Sequence, residues 1–249
     1  RVREKIESGK VDAELLESVT SAVRARFGNK SVRFRSSSNT EDLPGFSGAG
    51  LYTSVSVELD DPDKPVTNGL LTSWASLWTP RAYDERELGR VDQNAVAMGI
   101  LVHAAFKSER ANVIAISRDV LDPLRSDRHY MNAQIGEASV ANPAPGVTTE
   151  ELIHRRLVST GTPEIEYTSQ SSLSRGDKVL SLTDVRRISC YVRAIHLHFQ
   201  KLLDPEGENR WFAMDTEVKI VGDARQVVIK QARPYSFGRA DIPADCREF

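Results

Sequence analysis

Between residues 12 and 28 the apolar positions are Leu15, Leu16, Val19, Ala22, Val23 and Phe27. Their spacing predicts an amphipathic helix, and Gly28 a stop. The short run "SVRFR" (31–35) reads as a strand, and "YTSVSVEL" (52–59) alternates as a second one, with a turn over 60–64. "VTNGLLTSWASLW" (66–78) is apolar at helical spacing. Thr79 followed by Pro80 has the form of an N-cap with proline at the first helical position, opening a further helix to about Gly89. "AVAMGILVHAAF" (95–106) and "ANVIAIS" (111–117) are apolar enough for buried strands. In "VTTEEL" (147–152), Thr148 and Glu151 stand at capping-box spacing. Residues 159–178 are polar and hold at most a weak strand. The clearest helix is 183–203, where Val185, Ile188, Val192, Ile195, Phe199 and Leu202 form one stripe. The chain closes on "RWFAMDTEVKI", a turn at Gly222–Asp223 and "RQVVIKQARP", a β-hairpin. Helices and strands mix without regular βαβ alternation, so the expected class is α+β.

Charge narrows the partners. With 33 basic and 35 acidic residues the net charge is −2, which offers no broadly basic surface for nucleic acid. No apolar run approaches the roughly 20 residues needed to span a bilayer. The first residues show no signal-peptide pattern, and the chain opens on Arg1. The expectation is a piece of a longer cytoplasmic protein. Cys190 and Cys246 are too few for a disulfide framework or a zinc site, and two free thiols are the simpler expectation.

Two stretches carry chemistry. "RFRSSSNTEDLPGFSGAG" (33–50) joins an arginine, a run of hydroxyls and a glycine-rich loop. Gly45, Gly48 and Gly50 let backbone N–H groups approach an anion, and Arg35 offers a bidentate fork for phosphate. The loop lacks both the P-loop ending and the dinucleotide-binding spacing, so a plain glycine-rich hairpin loop accounts for it equally well. In "WFAMDTEVKI", strand alternation sets Trp211, Ala213, Asp215, Glu217 and Lys219 on one face and Phe212, Met214, Thr216, Val218 and Ile220 on the other. Two neighbouring carboxylates repel, and a hard cation such as Mg²⁺ relieves that cost. A hairpin loop of three or five residues places Gln231 opposite Glu217; an even loop places Lys230 there instead. A solvated strand face with incidental carboxylates remains the alternative.

Four motifs in order carry a resemblance. "RSSSNTEDLPGFSGAG" resembles the Arg-Ser-Ser-x-x-x-Glu-Asp-Leu-Pro signature of the phosphoenolpyruvate synthase and pyruvate phosphate dikinase family, in its ATP-binding domain. "MDTEVKI…IKQARP" is similar to that family's Asp-x-Glu strand and Gln-Ala-Arg-Pro return. "SWASLWTPRA" is similar to its helical segment with a tryptophan and an arginine, and "IGEASVANPAPGVTTEEL" to its Gly-Glu-x-Val…Thr-Pro-Asp segment. The resemblance implies an ATP-grasp-like domain of mixed or antiparallel sheets with flanking helices. Its first part would span 1–95 and its second 96–249. Arg35 would contact ATP phosphate under the 45–50 loop, and Arg81 would reach the transferred group, with Arg233 as a third catalytic cation. Val102, His103 and Ala104 would read adenine, while Glu217 and Gln231 would hold Mg²⁺, with Asp215 a further candidate.

The resemblance also implies an ATP-dependent phosphotransferase. It would pass a phosphoryl group to a histidine on another domain or chain, and onward to pyruvate, a glucan or another small acceptor. This sequence departs from the family in three places. His103 stands where the family has glutamine, Thr148-Thr149-Glu150 replaces Thr-Pro-Asp, and the Gly-Gly-Lys segment expected before the 12–28 helix is not in it. These departures keep a nucleotide-binding module without catalysis in view. His129, His154, His196 and His198 lack the context of a phosphorylated histidine, and His196 and His198 are expected at the helix surface.

Overall fold

The computed structural model describes every residue except Pro44, Gly45, Ala49, Asn142, 158–160, Ser236 and 238–249. The chain divides into two compact units, Arg1–Phe106 and Lys107–Phe249.

The first unit opens with α1 (Val2–Glu7) and α2 (Ala13–Phe27). The Asp12 carboxylate accepts the Leu15 N–H and caps α2, and Gly28 at φ 62 ends it. Of its predicted stripe, Leu16, Val19, Val23 and Phe27 pack inward, whereas Leu15 is exposed. Strand β1 (Val32–Ser38) follows, then the short pair β2 (Asp42–Leu43) and β3 (Phe46–Ser47), and β4 (Val55–Val57). Next come α3 (Val66–Ala75), a 3-10 turn (Ser76–Trp78), α4 (Pro80–Leu88) and β5 (Met98–Ala104). The Thr79 hydroxyl accepts the Ala82 N–H, as the Thr-Pro signal predicts. β4, β1 and β5 form an antiparallel sheet with β1 in the middle. Val32, Phe34 and Val57 are fully buried against Val66 and Leu70 of α3. Close approach of α3 needs Gly69, where a Cβ would stand 2.5 Å from Val57 Cγ2 and 3.0 Å from Phe34 Cδ2.

Strand β5 differs from expectation in its exposure: it is a sheet edge with Leu101 exposed, not a buried strand. It pairs with β1 and lies within the first compact unit.

The second unit holds β6 (Glu109–Ile116), β7 (Arg128–Ile135), β8 (Glu150–Arg155), β9 (Ile165–Ser169), α5 (Leu182–Leu203), β10 (Met214–Val221) and β11 (Gln226–Pro234). The strands form one antiparallel sheet in the order β11-β10-β6-β7-β8-β9. Helix α5 covers one face, with Val185, Ile188 and Val192 buried against Val113, Met131, Leu152, Val218 and Ile220. Its N-terminus is a capping box in which the Ser181 and Asp184 side chains exchange hydrogen bonds with each other's N–H. Arg225, in the β10–β11 turn at φ 48, binds the buried Asp184 carboxylate at 2.7 Å and the Val179 carbonyl at 2.9 Å.

The capping-box reading of Thr148 and Glu151 is overturned, because "EELIHR" is strand β8. Glu150 caps in a different sense. Its buried carboxylate accepts the N–H groups of Val179 at 2.9 Å and Leu180 at 3.0 Å, ahead of α5. Strand β7 escapes the sequence pattern because its α5-facing side carries His129 beside Met131 and Ala133, and Gln134 is buried on the opposite face, so polarity does not alternate. The α+β class stands as expected.

Candidate functional site

In the first unit, Arg35 lies on β1 with Arg33, on the face opposite Val32 and Phe34. The hydroxyls after it form a network of their own. Ser38 Oγ is 2.9 Å from Thr40 Oγ1, which is 3.0 Å from the Tyr52 hydroxyl. Ser54 Oγ accepts the Ser36 N–H at 3.3 Å. The network reaches Arg86, which is fully buried and donates to Tyr52 Oη, Gln93 Oε1 and the Leu77 carbonyl. Arg86 thus ties α4 to Tyr52, Gln93 and Leu77, and the sequence reading missed it. Arg81, one turn earlier on α4, is exposed.

Gly45 lies outside the described residues. Gly48 donates its N–H to the Glu41 carbonyl at 2.6 Å, and a Cβ there would meet Glu41 Cα at 3.0 Å. Gly50 has φ 71. Both glycines therefore meet a backbone requirement of the loop itself.

Val102, His103 and Ala104 end β5. His103 Nδ1 is 2.9 Å from the Ala104 carbonyl, which can only accept, so Nδ1 carries the proton. In the neutral ring the buried Nε2 is the acceptor, and it makes no hydrogen bond to a described residue. An amine or amide donor fits such an atom.

In the second unit the alternation along β10 is as predicted: Met214, Thr216, Val218 and Ile220 are buried, and Asp215, Glu217 and Lys219 face away from α5. The hairpin resolves the register question in an unforeseen way. The turn, Gly222–Arg225, has an even number of residues, yet Glu217 pairs with Gln231. A β-bulge reconciles the two: Val218 pairs with Ile229, and Lys230 is the extra residue. Both neighbours then address Glu217, and Lys230 Nζ lies 2.8 Å from Glu217 Oε2.

Asp215 and Arg233 are cross-strand partners, with Arg233 Nη2 and Nε at 2.9 and 3.0 Å from Asp215 Oδ2. This pairing draws Asp215 away from a ligand role. Lys219 pairs with Glu109. Among the described residues no group of three or more His, Cys, Asp or Glu side chains could hold a metal. Glu217 and Gln231 fit Mg²⁺ as two oxygen donors, an ion that keeps waters and substrate phosphates for its other positions.

The same face continues across the sheet through residues the sequence reading did not single out. Glu217 is followed by Ile114, Asn132 and Glu151 on successive strands, and Asp215 by Ile116, Tyr130 and Ile153. Burial and the Glu151 charge push the Tyr130 hydroxyl well above its usual range, so it stays protonated as a donor. Glu151 lies three strand spacings from Glu217, roughly 14 Å, too far to share one ion.

Cys190 is a free exposed thiol; Cys246 lies outside the described residues. His198 is exposed, but His196 is half-buried and bonds Ser117 Oγ at 2.8 Å, against the expected surface position. No described helix is long and apolar enough to cross a membrane.

Over residues 1–246 the chain matches the family described as pyruvate phosphate dikinase, AMP/ATP-binding domain. It is 32% identical over 174 residues to a probable phosphoenolpyruvate synthase of Pyrococcus abyssi, covering 66% of this chain and 20% of that protein. Against a phosphoenolpyruvate synthase of Pyrococcus furiosus the identity is 31% over the same shares. Against that of Aeropyrum pernix it is 35% over 86 residues, 33% of this chain and 10% of that protein. The chain thus spans about a fifth of the length of the Pyrococcus relatives it matches.

Proposed function

Since the chain belongs to the pyruvate phosphate dikinase AMP/ATP-binding domain family, we propose that it binds ATP with Mg²⁺ and passes a phosphoryl group to a histidine on another domain or chain. The observation that carries this reading is the bulged hairpin, which sets Glu217 and Gln231 side by side on the face away from α5. Phosphoryl transfer asks a protein for positioning and charge neutralisation rather than covalent chemistry. Arg35 and Arg81 supply cations to the phosphate oxygens. Arg233 is a third, its fork fixed by Asp215. Glu217 and Gln231 hold Mg²⁺, which when bound neutralises phosphate charge. His103 Nε2, the buried acceptor at the end of β5, takes a hydrogen bond from the adenine amino group in place of the family's glutamine. The accepting histidine, whether in the same longer protein or another, attacks phosphorus as the bond to the departing nucleotide oxygen breaks. The small molecule phosphorylated in turn follows from the rest of the protein.

A second reading, nucleotide binding without catalysis, is favoured by Lys230, whose ammonium already occupies a Glu217 oxygen. A thermal-unfolding titration with ATP, with and without Mg²⁺, tests the site. At 100 times its dissociation constant a ligand adds about 2.7 kcal/mol. The Mg²⁺-dependent part of the shift is expected to vanish in Glu217→Ala; its survival would remove the hairpin from the metal site. Formation of AMP or ADP by the longer protein separates the enzyme from the silent module.

A further inference from the structure

On the α5 side of the second unit's sheet, opposite the carboxylate face, lies a cavity of about 300 Å³. Ser117, His129, Arg118, Arg156, Arg193 and His196 are among its lining residues, and no carboxylate is. Arg118 is nearly buried and held in place by the Phe212 and Pro123 carbonyls. Arg156 donates Nη2 to the Ser126 carbonyl, and its buried Nε makes no hydrogen bond to a described residue. None of the three arginines forms an ion pair among the described residues. The nearby Asp127 is engaged by Arg125 at 3.3 Å.

Burial, then Arg193, opposes the charge of Arg156 while Asp127 partly offsets it, and the effect reaches their neighbours. Burial, then Arg156 and Arg193 among others, push His129 down to about 3, and burial, then Arg118 and Arg156, push His196 to about 4. Both imidazoles are therefore neutral, and the hydrogen-bond chain behind His129 fixes its tautomer. Glu164, clamped by Arg186 at 2.7 Å through both oxygens, is an acceptor only. His154 Nε2, 3.2 Å away, must therefore carry the proton donated to it, which leaves Nδ1 bare. His154 Nδ1 lies 2.9 Å from Ser189 Oγ, so Ser189 donates its hydroxyl proton there. Ser189 Oγ then accepts from His129 Nδ1 at 2.8 Å. His129 is left with a bare Nε2, which makes no hydrogen bond to a described residue, on the ring that lines the cavity.

We propose that this cavity binds a phosphate-class oxyanion, inorganic phosphate or a small phosphomonoester, through Arg118, Arg156 and Arg193, with His129 Nε2 accepting a hydrogen bond from a protonated phosphate oxygen. Planar guanidinium forks suit tetrahedral oxyanions. The size lies at the lower end of ligand sites, and the polar lining is what a small anion needs. The bare imidazole nitrogen adds selectivity: monohydrogen phosphate carries a proton to donate, and sulfate at neutral pH does not. The site is independent of the nucleotide reading, because His129 lies on the α5 side of the sheet and Arg193 and His196 stand on α5 itself, whereas Glu217 faces away from α5.

The test is calorimetric titration of the 249-residue chain at constant ionic strength with inorganic phosphate, glycerol phosphate and sulfate. Saturable binding of inorganic phosphate is expected at about pH 7, roughly five- to tenfold tighter than sulfate, for one lost hydrogen bond. The ester is expected to show the same preference below about pH 6, where its monoanion carries the proton. Arg193 is exposed on α5, so Arg193→Gln keeps the fold, checked by circular dichroism, and weakens phosphate about tenfold or more. Glu217→Ala and Arg35→Ala keep the phosphate response. The tighter of phosphate and its ester identifies the class of natural ligand. The proposal is overturned if Arg193→Gln binds phosphate as the unaltered chain does, if Arg35→Ala abolishes the response, or if sulfate binds equally well.

Discussion

Replacing Lys230 with methionine tests how the hairpin works. In the resting chain the Lys230 ammonium lies 2.8 Å from Glu217 Oε2, and the two side chains are 27% and 32% exposed. A partly exposed pair of this kind is worth about 0.2–1 kcal/mol. A metal that uses Glu217 must displace that ammonium, so the pair's free energy is subtracted from the metal's affinity. Methionine keeps most of the aliphatic stem over the strand and removes the charge. Mg²⁺-dependent ATP binding is then expected to tighten by roughly 1.4- to fivefold, the same free energy expressed as an equilibrium constant. The assay is titration with MgCl₂ at saturating ATP, read by calorimetry or by the unfolding temperature. Weaker binding in Lys230→Met would mean that the ammonium serves the phosphates rather than competing with the metal. An unchanged constant, with Glu217→Ala still defective, would mean that the ion pair is already open in solution. Either result refutes the competition.

Two further perturbations address the scaffold. Gly69→Ala gains about 1 kcal/mol of helix propensity but drives a Cβ to within 2.5 Å of Val57 Cγ2, and overpacking costs about 1–3 kcal/mol. The net expectation is a loss of up to about 2 kcal/mol in urea unfolding followed by tryptophan fluorescence, and an unchanged or higher midpoint would contradict it. Burial raises the Asp184 carboxyl, but Arg225 and Ser181 outweigh it and hold the group below the ordinary aspartate value of 3.8. Its contribution, about 1.5–3 kcal/mol for charged hydrogen bonds, is therefore full above 3.8 and lost as pH falls through the folded value. The stability gap between the natural chain and Asp184→Asn should close in that acid window; a gap that stays constant there would show that the charge is not the source.

How far the sequence reveals this fold depends on where each element's information sits. Helix α5 was readable because Val185, Ile188 and Val192 repeat at helical spacing within the element that buries them. Thr79–Pro80 was readable because a cap is local chemistry. Strand β7 was not, since its buried polar residues, His129 on one face and Gln134 on the other, are satisfied by Ser189, Ser171 and the Thr148 carbonyl, partners remote in sequence. The Thr148–Glu151 spacing misled for a related reason: Glu150, its neighbour, caps backbone some thirty residues away. The carboxylate face of β10 was legible from alternation alone, and the residues that extend it, Tyr130, Asn132 and Glu151, were hidden with the strands that carry them. The arginine cavity could not be read at all, for its lining runs from Ser117 to Gln200 and no short window contains it.

The hairpin register marks the limit of such reading most sharply. Loop parity is a sound rule for a regular ladder, and the even turn at Gly222–Arg225 by itself favours Lys230 as the partner of Glu217. One inserted residue reverses that outcome without erasing the alternative. In a regular ladder a carboxylate has one directly opposed neighbour; at the bulge two successive residues oppose it. Glu217 consequently has Gln231 as its ladder partner and the Lys230 ammonium on its oxygen. If Mg²⁺ binds at Glu217 as proposed, the cation would balance the charge when no metal is held, and the amide oxygen would be a ligand when one is. Deleting Lys230 separates the two roles: Ile229 and Gln231 become consecutive, the Glu217–Gln231 pairing persists in a regular ladder, and the resting counter-charge is lost. Mg²⁺-dependent nucleotide binding should therefore survive that deletion as it survives Lys230→Met, whereas a site that needed the twist of the bulge itself would lose it only in the deletion.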